Sequence, residues 1–218
     1  MSAETTLDFA KGLKKEIAEK SKENRMTDDA LKRALTIFSE LNPEFIFDKD
    51  NIKEVIALLH YFAGINYTLD ITKGLCISGN VGVGKTYMLN AFNKYAKKIR
   101  SGMAFRSTSV STLILKQDRE VLFTDDNLFV DELGIEKDYT IIVYGTPASD
   151  YIDLVFMELY SAKFIKGKQV HITSNFDQEE TKKQYNIRLK SRFDEMFEQI
   201  TLKGISWRGN SPRKKESK

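Results

Sequence analysis

The chain has 218 residues, of which 41% are hydrophobic and 11% aromatic, so it can fill the core of one α/β domain and is not an intrinsically disordered protein. Lys and Arg number 34 against 31 Asp and Glu, and a net charge of +3 does not by itself indicate a nucleic-acid-binding protein. The single cysteine, Cys76, excludes a disulfide within one chain and a zinc site built on cysteines.

The N-terminal part of the chain predicts helices. Residues 1–25 are rich in Lys and Glu with a weakly amphipathic pattern, for which we prefer a solvated arm over a partner-docking helix. The segment Thr27-Asp28-Asp29 is predicted to cap a helix that Asn42-Pro43 ends, and a second helix is predicted from about Asp50 to a C-terminal cap at Gly64. The first residues lack a secretory pattern and no apolar run approaches a membrane span, so we expect a cytoplasmic protein without membrane contact.

The segment 79–86, Gly-Asn-Val-Gly-Val-Gly-Lys-Thr, matches the phosphate-binding pattern G-x-x-x-x-G-K-[ST] at every position. An apolar run at 75–78 predicts a buried strand before it, and the spacing of apolar residues after it predicts a helix. In such a loop the backbone N–H groups surround phosphate oxygens, Lys85 reaches the β- and γ-phosphates, and Thr86 supplies a hydroxyl to Mg²⁺. The segment therefore predicts a nucleoside triphosphate site.

A second strand is predicted near Phe105, followed by a short helix that ends at Lys116. The next apolar run, 127–130, ends in Asp131 and Glu132. Asp131 can hold the Mg²⁺ shell through water, and Glu132 can orient or deprotonate an attacking water. Such a run means little alone, but downstream of a complete phosphate loop it indicates hydrolysis.

A helix is predicted over 149–165, followed by a strand at 169–173 that ends in Ser174-Asn175. Because ligands bind at the carboxyl ends of strands in open parallel sheets, Asn175 is predicted to contact the attacking water or the γ-phosphate. The alternative is that Asn175 only turns the chain before Asp177 caps the next helix. His171, inside the strand, is predicted to belong to the core.

A helix over 187–197 carries Arg188 and Arg192 on one face. Like charges four residues apart on a helix repel each other unless an anion pairs with them. Either Glu195 pairs with Arg192, or a phosphate of a bound or neighbouring nucleotide does. Residues 200–202 predict an edge strand. The tail from Arg208 is basic, a composition typical of disordered segments that bind phosphate backbones weakly.

Taken together, these motifs and the Ser206-Trp207-Arg208 segment resemble the DnaC/IstB group of AAA+ ATPases over about residues 50–208. The resemblance implies an α/β fold of the P-loop NTPase (AAA+) type, a parallel sheet flanked by helices, without a separate helical lid. The expected organisation is a helical N-terminal extension over 1–48, an ATPase core over 49–208 and a basic disordered tail over 209–218.

The resemblance also implies ATP and Mg²⁺ as ligands and slow ATP hydrolysis, with functional residues of three kinds. The implied nucleotide-binding residues are Gly79, Asn80, Val81, Gly82, Val83, Gly84, Lys85, Thr86, Tyr87 and Arg208. The implied metal ligands are Thr86 and Asp131. The implied catalytic residues are Glu132 as base, Asn175 as first sensor, Arg192 as an arginine finger for a neighbouring subunit, and Arg188 as its competitor for that role.

Members of this group load the replicative helicase onto DNA or assist transposition, and they assemble into spirals or filaments. We therefore expect DNA, preferably single-stranded, as a ligand, a replicative helicase or a transposase as a partner, and self-association with shared ATP sites. The candidates for the DNA path are the basic residues between Arg106 and Arg119 and the tail. The N-terminal region matches no helicase-binding domain, and a chain with one cysteine excludes the zinc module of one loader subgroup.

Three functions compete at this stage. The first is a DnaC-like helicase loader, and the second is an IstB-like accessory ATPase of transposition that acts on duplex DNA. The third is a scaffold whose assembly is switched by nucleotide with negligible turnover, against which Glu132 argues because a pure binder does not need it. A small-molecule kinase is a weaker alternative, since no substrate lid is evident.

Overall fold

The computed structural model describes residues 25–47, 51–115, 120–135, 142–143, 146–176, 180 and 187–203. The helices are α1 (Asp28–Leu41), α2 (Ile52–Phe62), α3 (Lys85–Lys98), α4 (Val110–Leu115), α5 (Ala148–Ala162) and α6 (Ile187–Met196). The strands are β1 (Gly74–Ser78), β2 (Phe105–Ser109), β3 (Asn127–Leu133), β4 (Ile142–Val143), β5 (Thr146–Pro147), β6 (Val170–Ser174) and β7 (Phe197–Thr201). Short 3₁₀ helices lie at Glu120–Phe123 and Phe164–Lys166.

A five-stranded parallel sheet has the strand order β2-β3-β6-β1-β7, and β4 pairs with β5 in a separate antiparallel ladder. Ile172 of β6 lies opposite Cys76 of β1 on one side and opposite Val130 of β3 on the other. Because the strands run in one direction, their carboxyl ends lie along one edge of the sheet. β6 therefore separates the strand that leads into the glycine loop from the strand that ends in the acidic pair.

Helices cover both faces of this sheet. On one face, α1, α2 and α3 pack against a core that includes Ile77 and Phe129. On the other face, α4, α5 and α6 pack against a core that includes Cys76, Val130 and Ile172. Every residue of β1 and β6 is buried, as expected for parallel strands that are covered on both faces. The predicted α/β class and parallel sheet are confirmed.

The first described helix, α1, belongs to the same packed core as α3. The Thr27 side chain accepts a hydrogen bond from the Ala30 N–H at 3.2 Å, which confirms the predicted cap. The Phe38 ring lies 4.6 Å from the Phe92 ring of α3. Gly64 follows α2 with a φ of 76°, as predicted for a C-terminal cap. The boundary at residue 48 stays a prediction, and residues 1–24 and 204–218, with the predicted arm and tail, lie outside the described residues.

The C-terminal edge strand differs from its prediction in one respect. β7 does lie at the edge of the sheet, but it begins at Phe197 instead of residue 200. Phe197 already pairs with Gly74 of β1, so the strand starts where the neighbouring strand does. Pairing with a distant strand decided this boundary, which the local sequence does not encode.

Among the described residues, no helix combines the length and apolar character needed to cross a bilayer.

The start of β1 requires a glycine. A Cβ atom added to Gly74 would lie 1.6 Å from the carbonyl oxygen of Val170 in β6. The backbones of the two strands approach so closely there that no side chain fits, and any larger residue must push β1 away from β6.

We predict that Gly74→Ala lowers the free energy of unfolding by about 3 kcal/mol, because relief of the overlap requires a backbone shift. Gly102→Ala is the matched control, because no atom lies within 4 Å of its Cβ position and its φ is outside the left-handed region. It should change the free energy of unfolding by less than about 1 kcal/mol. Urea denaturation measures both, and equal effects of the two variants would contradict the steric explanation.

His171 lies in the core, as predicted. Its Nδ1 accepts a hydrogen bond from the Leu75 N–H at 3.2 Å, and its ring centroid lies 5.0 Å from that of Phe105 and 5.9 Å from that of Tyr61. Complete burial lowers the pKa of His171 from 6.5 to about 3, because the charged imidazolium loses its hydration. The side chain is therefore neutral in the folded protein at any pH above that value.

This shift predicts a pH dependence of stability. Below pH 6.5 the unfolded chain binds a proton at His171 that the folded chain does not bind, so stability is complete above pH 6.5 and falls as the pH drops towards 3. At pH 5 the loss from this residue amounts to about 2 kcal/mol. His171→Gln keeps a hydrogen-bond acceptor but does not titrate. Urea denaturation at pH 7.5 and 5 should therefore show a smaller drop in the variant, and identical drops would refute the prediction.

Candidate nucleotide-binding site

The loop between β1 and α3 depends on its glycines. Gly79, Gly82 and Gly84 all have positive φ, at 140°, 87° and 92°. A Cβ on Gly79 would lie 2.5 Å from the carbonyl oxygen of Leu202, so this glycine is required by space as well as by conformation. The loop leads directly into the N-terminus of α3 at Lys85, where helix N–H groups favour an anion.

Lys85 connects the glycine loop to the end of β6. Its amine donates hydrogen bonds to the carbonyl oxygens of Gly79 at 2.7 Å and Asn80 at 3.0 Å, and to Asn175 Oδ1 at 2.8 Å. The residue is only 8% exposed. The structure thus brings together Lys85 and Asn175, which the sequence placed separately at the ends of two predicted strands.

A second contact connects α3 to the end of β3. The Thr86 hydroxyl donates a hydrogen bond to Asp131 Oδ1 at 2.9 Å. Adjacent hydroxyl and carboxylate oxygens are the ligands that Mg²⁺ prefers, and Mg²⁺ commonly takes its remaining ligands from phosphates and water. The described residues hold no group of three or more His, Cys, Asp and Glu that could bind a metal alone. The pair therefore fits a metal that is bound together with a nucleotide.

Glu132 is exposed beside Asp131 and has an unusual backbone conformation. Its φ is 63°, in the left-handed region, which costs a non-glycine residue roughly 1–2 kcal/mol. The pairing of β3 with β6 shifts at this point, because Val130 lies opposite Ile172 whereas Leu133 lies opposite Ser174. Asp131 and Glu132 thus face one residue of β6, Thr173, in a β-bulge. Bulges re-aim side chains, and here the bulge alters the directions of two adjacent carboxylates that a regular strand would point to opposite faces.

Thr173 is a site residue that the sequence did not single out. Its hydroxyl accepts a hydrogen bond from the Glu132 N–H at 3.0 Å and donates one to Asp131 Oδ1. The only signal in the sequence was its position two residues before Asn175, at the end of a buried strand. The loops that follow β3 and β6 also touch, since a Cβ on Gly134 would lie 2.4 Å from the Phe176 ring.

The remaining loop residues differ in exposure. Val81 and Tyr87 are 55% and 43% exposed, whereas Val83 is buried. The Tyr87 ring stacks on Phe45 with centroids 6.0 Å apart and an angle of 16° between the rings.

Arg192 contacts the side chains of Glu195 and Tyr160. Its Nη1 donates to Glu195 Oε2 and to the Tyr160 hydroxyl, each at 3.0 Å, and the guanidinium lies 4.2 Å from the centre of the Tyr160 ring. Two hydrogen bonds lower the pKa of the Glu195 carboxyl. The bond from Tyr160 has the larger effect, and the bond from Arg192 the next. The intrahelical ion pair that the sequence allowed is therefore present, and the finger role stays a prediction.

Several other predicted residues lie outside the described part of the chain. Arg188 lies in α6, but its side chain is outside the described residues, as is all of Arg208. Asp177 and residues 116–119 of the predicted DNA path are likewise outside them. At the start of that path, Arg106 forms an exposed ion pair with Asp126.

No family model matches the sequence, and no curated protein matches it either. Several solved structures, in contrast, match the fold of the chain. The crystal structure of the DnaC helicase loader aligns with a TM-score of 0.56 at 19% identity, over 75% of this chain and 96% of that one. The chain therefore has the fold of this helicase loader.

Two further similar structures extend this comparison. DnaI aligns with a TM-score of 0.55 at 20% identity, over 77% of this chain and 89% of that one. DnaA from Aquifex aeolicus, solved with bound AMPPCP, aligns with a TM-score of 0.52 at 19% identity, over 75% of this chain but only 51% of that one. At such identities the likeness concerns the fold alone.

Proposed function

We propose that the chain binds ATP with Mg²⁺ at the carboxyl ends of β1, β6 and β3 and hydrolyses it. One observation carries the proposal: Lys85 bonds to Asn175 while its neighbour Thr86 bonds to Asp131. A phosphate-binding lysine, a polar amide and a hydroxyl–carboxylate pair thereby meet at one place. The AMPPCP in the similar DnaA structure supports a nucleotide ligand.

Each residue then has a distinct role. The glycine loop and the N-terminus of α3 surround the phosphates with N–H groups, and Lys85 adds a positive charge. Thr86 and Asp131 would hold Mg²⁺, which supplies charge neutralisation at the phosphates. Glu132 accepts a proton from a water whose oxygen bonds to the γ-phosphorus as the bond to the bridging oxygen breaks, and Asn175 orients that water or the γ-phosphate.

We further propose that this ATPase acts on DNA as a DnaC-like loader of a replicative helicase. The support is the shared fold with a DnaC helicase loader and with DnaI, whose chains are matched over most of their length. A DnaA structure with similar fold was solved with single-stranded DNA, which favours single-stranded DNA as the ligand. An IstB-like role in transposition uses the same site with duplex DNA. Identification of the proteins that copurify with the chain from its native cell distinguishes the two, since one requires a helicase and the other a transposase.

We also propose that the protein self-associates and shares its ATP sites, with Arg192 reaching the nucleotide of a neighbouring subunit. Arg192 is about one-third exposed despite its contacts to Tyr160 and Glu195. These are contacts that an exposed guanidinium can exchange for a phosphate, because a surface ion pair is worth at most about 1 kcal/mol. Arg188, four residues earlier, is the alternative donor.

We predict that binding and hydrolysis can be separated by two variants. Lys85→Ala should abolish ATP binding because it removes the charge at the phosphates, whereas Glu132→Gln should bind ATP and lose hydrolysis at least about 100-fold because it removes the base. Equilibrium binding of a fluorescent ATP analogue and single-turnover phosphate release measure the two effects. Lys94→Ala and Glu120→Gln are matched controls at exposed positions and should behave as the unmodified chain. Undiminished hydrolysis by Glu132→Gln would rule out Glu132 as the base.

The shared site predicts complementation between inactive protomers. Arg192→Ala and Lys85→Ala should each be inactive alone. Mixed at equal amounts, they should regain turnover at about a quarter of the interfaces, where one supplies the nucleotide site and the other the arginine. Glu195→Gln removes the partner of Arg192 without removing the guanidinium and should keep its turnover. Absence of any recovery, at every mixing ratio, would show that Arg192 acts only within its own chain.

A further inference from the structure

The Thr173 hydroxyl group forms two hydrogen bonds, and the direction of each follows from which partner can donate and which can accept. A threonine hydroxyl donates one hydrogen and accepts through its lone pairs. The Glu132 N–H can only donate, so the Thr173 oxygen must accept this bond. The hydroxyl hydrogen is then directed to Asp131 Oδ1, which also receives the hydrogen of Thr86. One side chain thus contacts both acidic residues of the proposed ATPase.

The two contacts act on different parts of the acidic pair. For Asp131 the contact is to the carboxylate, so it sets the direction of the side chain itself. For Glu132 the contact is to the backbone N–H, at the residue whose φ of 63° places it in the left-handed region. A strained residue persists only where its surroundings hold it, and the Thr173 hydroxyl is a bond partner that the bulge provides for this N–H.

The burial of Thr173 protects its two hydrogen bonds from competition by water. Thr173 is 1% exposed, so water cannot readily replace its hydroxyl as the partner of either residue. Its backbone lies in β6 between Ile77 of β1 and the bulge of β3, which holds it in place from both sides. Glu132, in contrast, is exposed.

We infer that Thr173 is a positioning residue for ATP hydrolysis: its hydroxyl holds the bulge that directs the Glu132 carboxylate and fixes the Asp131 carboxylate at the metal position. This inference rests on the proposed ATPase function. Thr173 touches neither phosphate nor water in this scheme and acts through the two acidic residues. Its loss should therefore lower turnover while the glycine loop and Lys85 continue to bind nucleotide.

The test compares Thr173→Val with Thr173→Ser. Valine has nearly the same shape but no hydroxyl, and serine keeps the hydroxyl. We expect Thr173→Val to lower kcat at least about tenfold with KM and the Kd for a fluorescent ATP analogue changed less than about threefold, and Thr173→Ser to restore most of kcat. The matched control is Thr108→Val, which removes another strand threonine whose Oγ1 is buried without a hydrogen-bond partner in the described part of the chain. It should leave kcat unchanged.

Several outcomes would overturn the inference. One is a kcat for Thr173→Val equal to that of the unmodified chain, and another is a loss that serine does not restore. A parallel rise in KM and Kd would assign Thr173 to binding or general structure instead. If Thr173→Val does not fold, Thr173→Cys, which keeps the size and only a weak donor, should show an intermediate kcat, and full activity there overturns the inference. The proposed function fails separately, if the unmodified chain neither binds nor hydrolyses ATP.

Discussion

The position of β6 between β1 and β3 is the constraint on which the rest of the site depends. Each of these strands ends in one part of the site: the glycine loop after β1, Asn175 after β6, and the acidic pair at the end of β3. Because β6 is in the middle, its side chains can reach both neighbours. Asn175 bonds to Lys85 on one side, and Thr173 bonds to Asp131 and Glu132 on the other. An exchange of β6 with either neighbour would leave the lysine or the acidic pair without this connection.

The sheet that holds these strand ends is closely packed. Helices bury both of its faces, and β1 approaches β6 so closely that Gly74 has no room for a side chain. Where the backbones meet, the His171 imidazole accepts the Leu75 N–H, a neutral polar contact inside an aromatic core. A close-packed interior has low compressibility, so this packing resists displacement of the ends of β1 and β6 relative to each other. Such close packing suits the proposed ATPase site, which would position a phosphate, a metal and a water together.

Several residues at this same edge of the sheet have a positive backbone φ. Glu132 and Gly134 have positive φ at the end of β3, and Gly79, Gly82 and Gly84 have positive φ after β1. Glycines adopt this conformation without a steric penalty, whereas Glu132 does not, and strained non-glycine residues are typical of functional sites. The hydrogen bond from Glu132 to Thr173 shows how the neighbouring strand compensates for part of that strain.

The sequence by itself determined the parts of this protein that depend on local patterns. The glycine loop, the acidic pair, the caps at Thr27 and Gly64 and the alternation of strands with helices were all evident, because turn chemistry and periodicity act between residues close in the chain. Only the tertiary structure decided the start of β7, the bulge at Glu132 and the role of Thr173. Each of these depends on pairing between strands far apart in sequence: Phe197 with Gly74 in the first case, and β3 with β6 in the other two. The residues around a threonine at the end of a strand do not show which residues will lie opposite it. Only the register of the folded sheet brings its hydroxyl to both carboxylate residues.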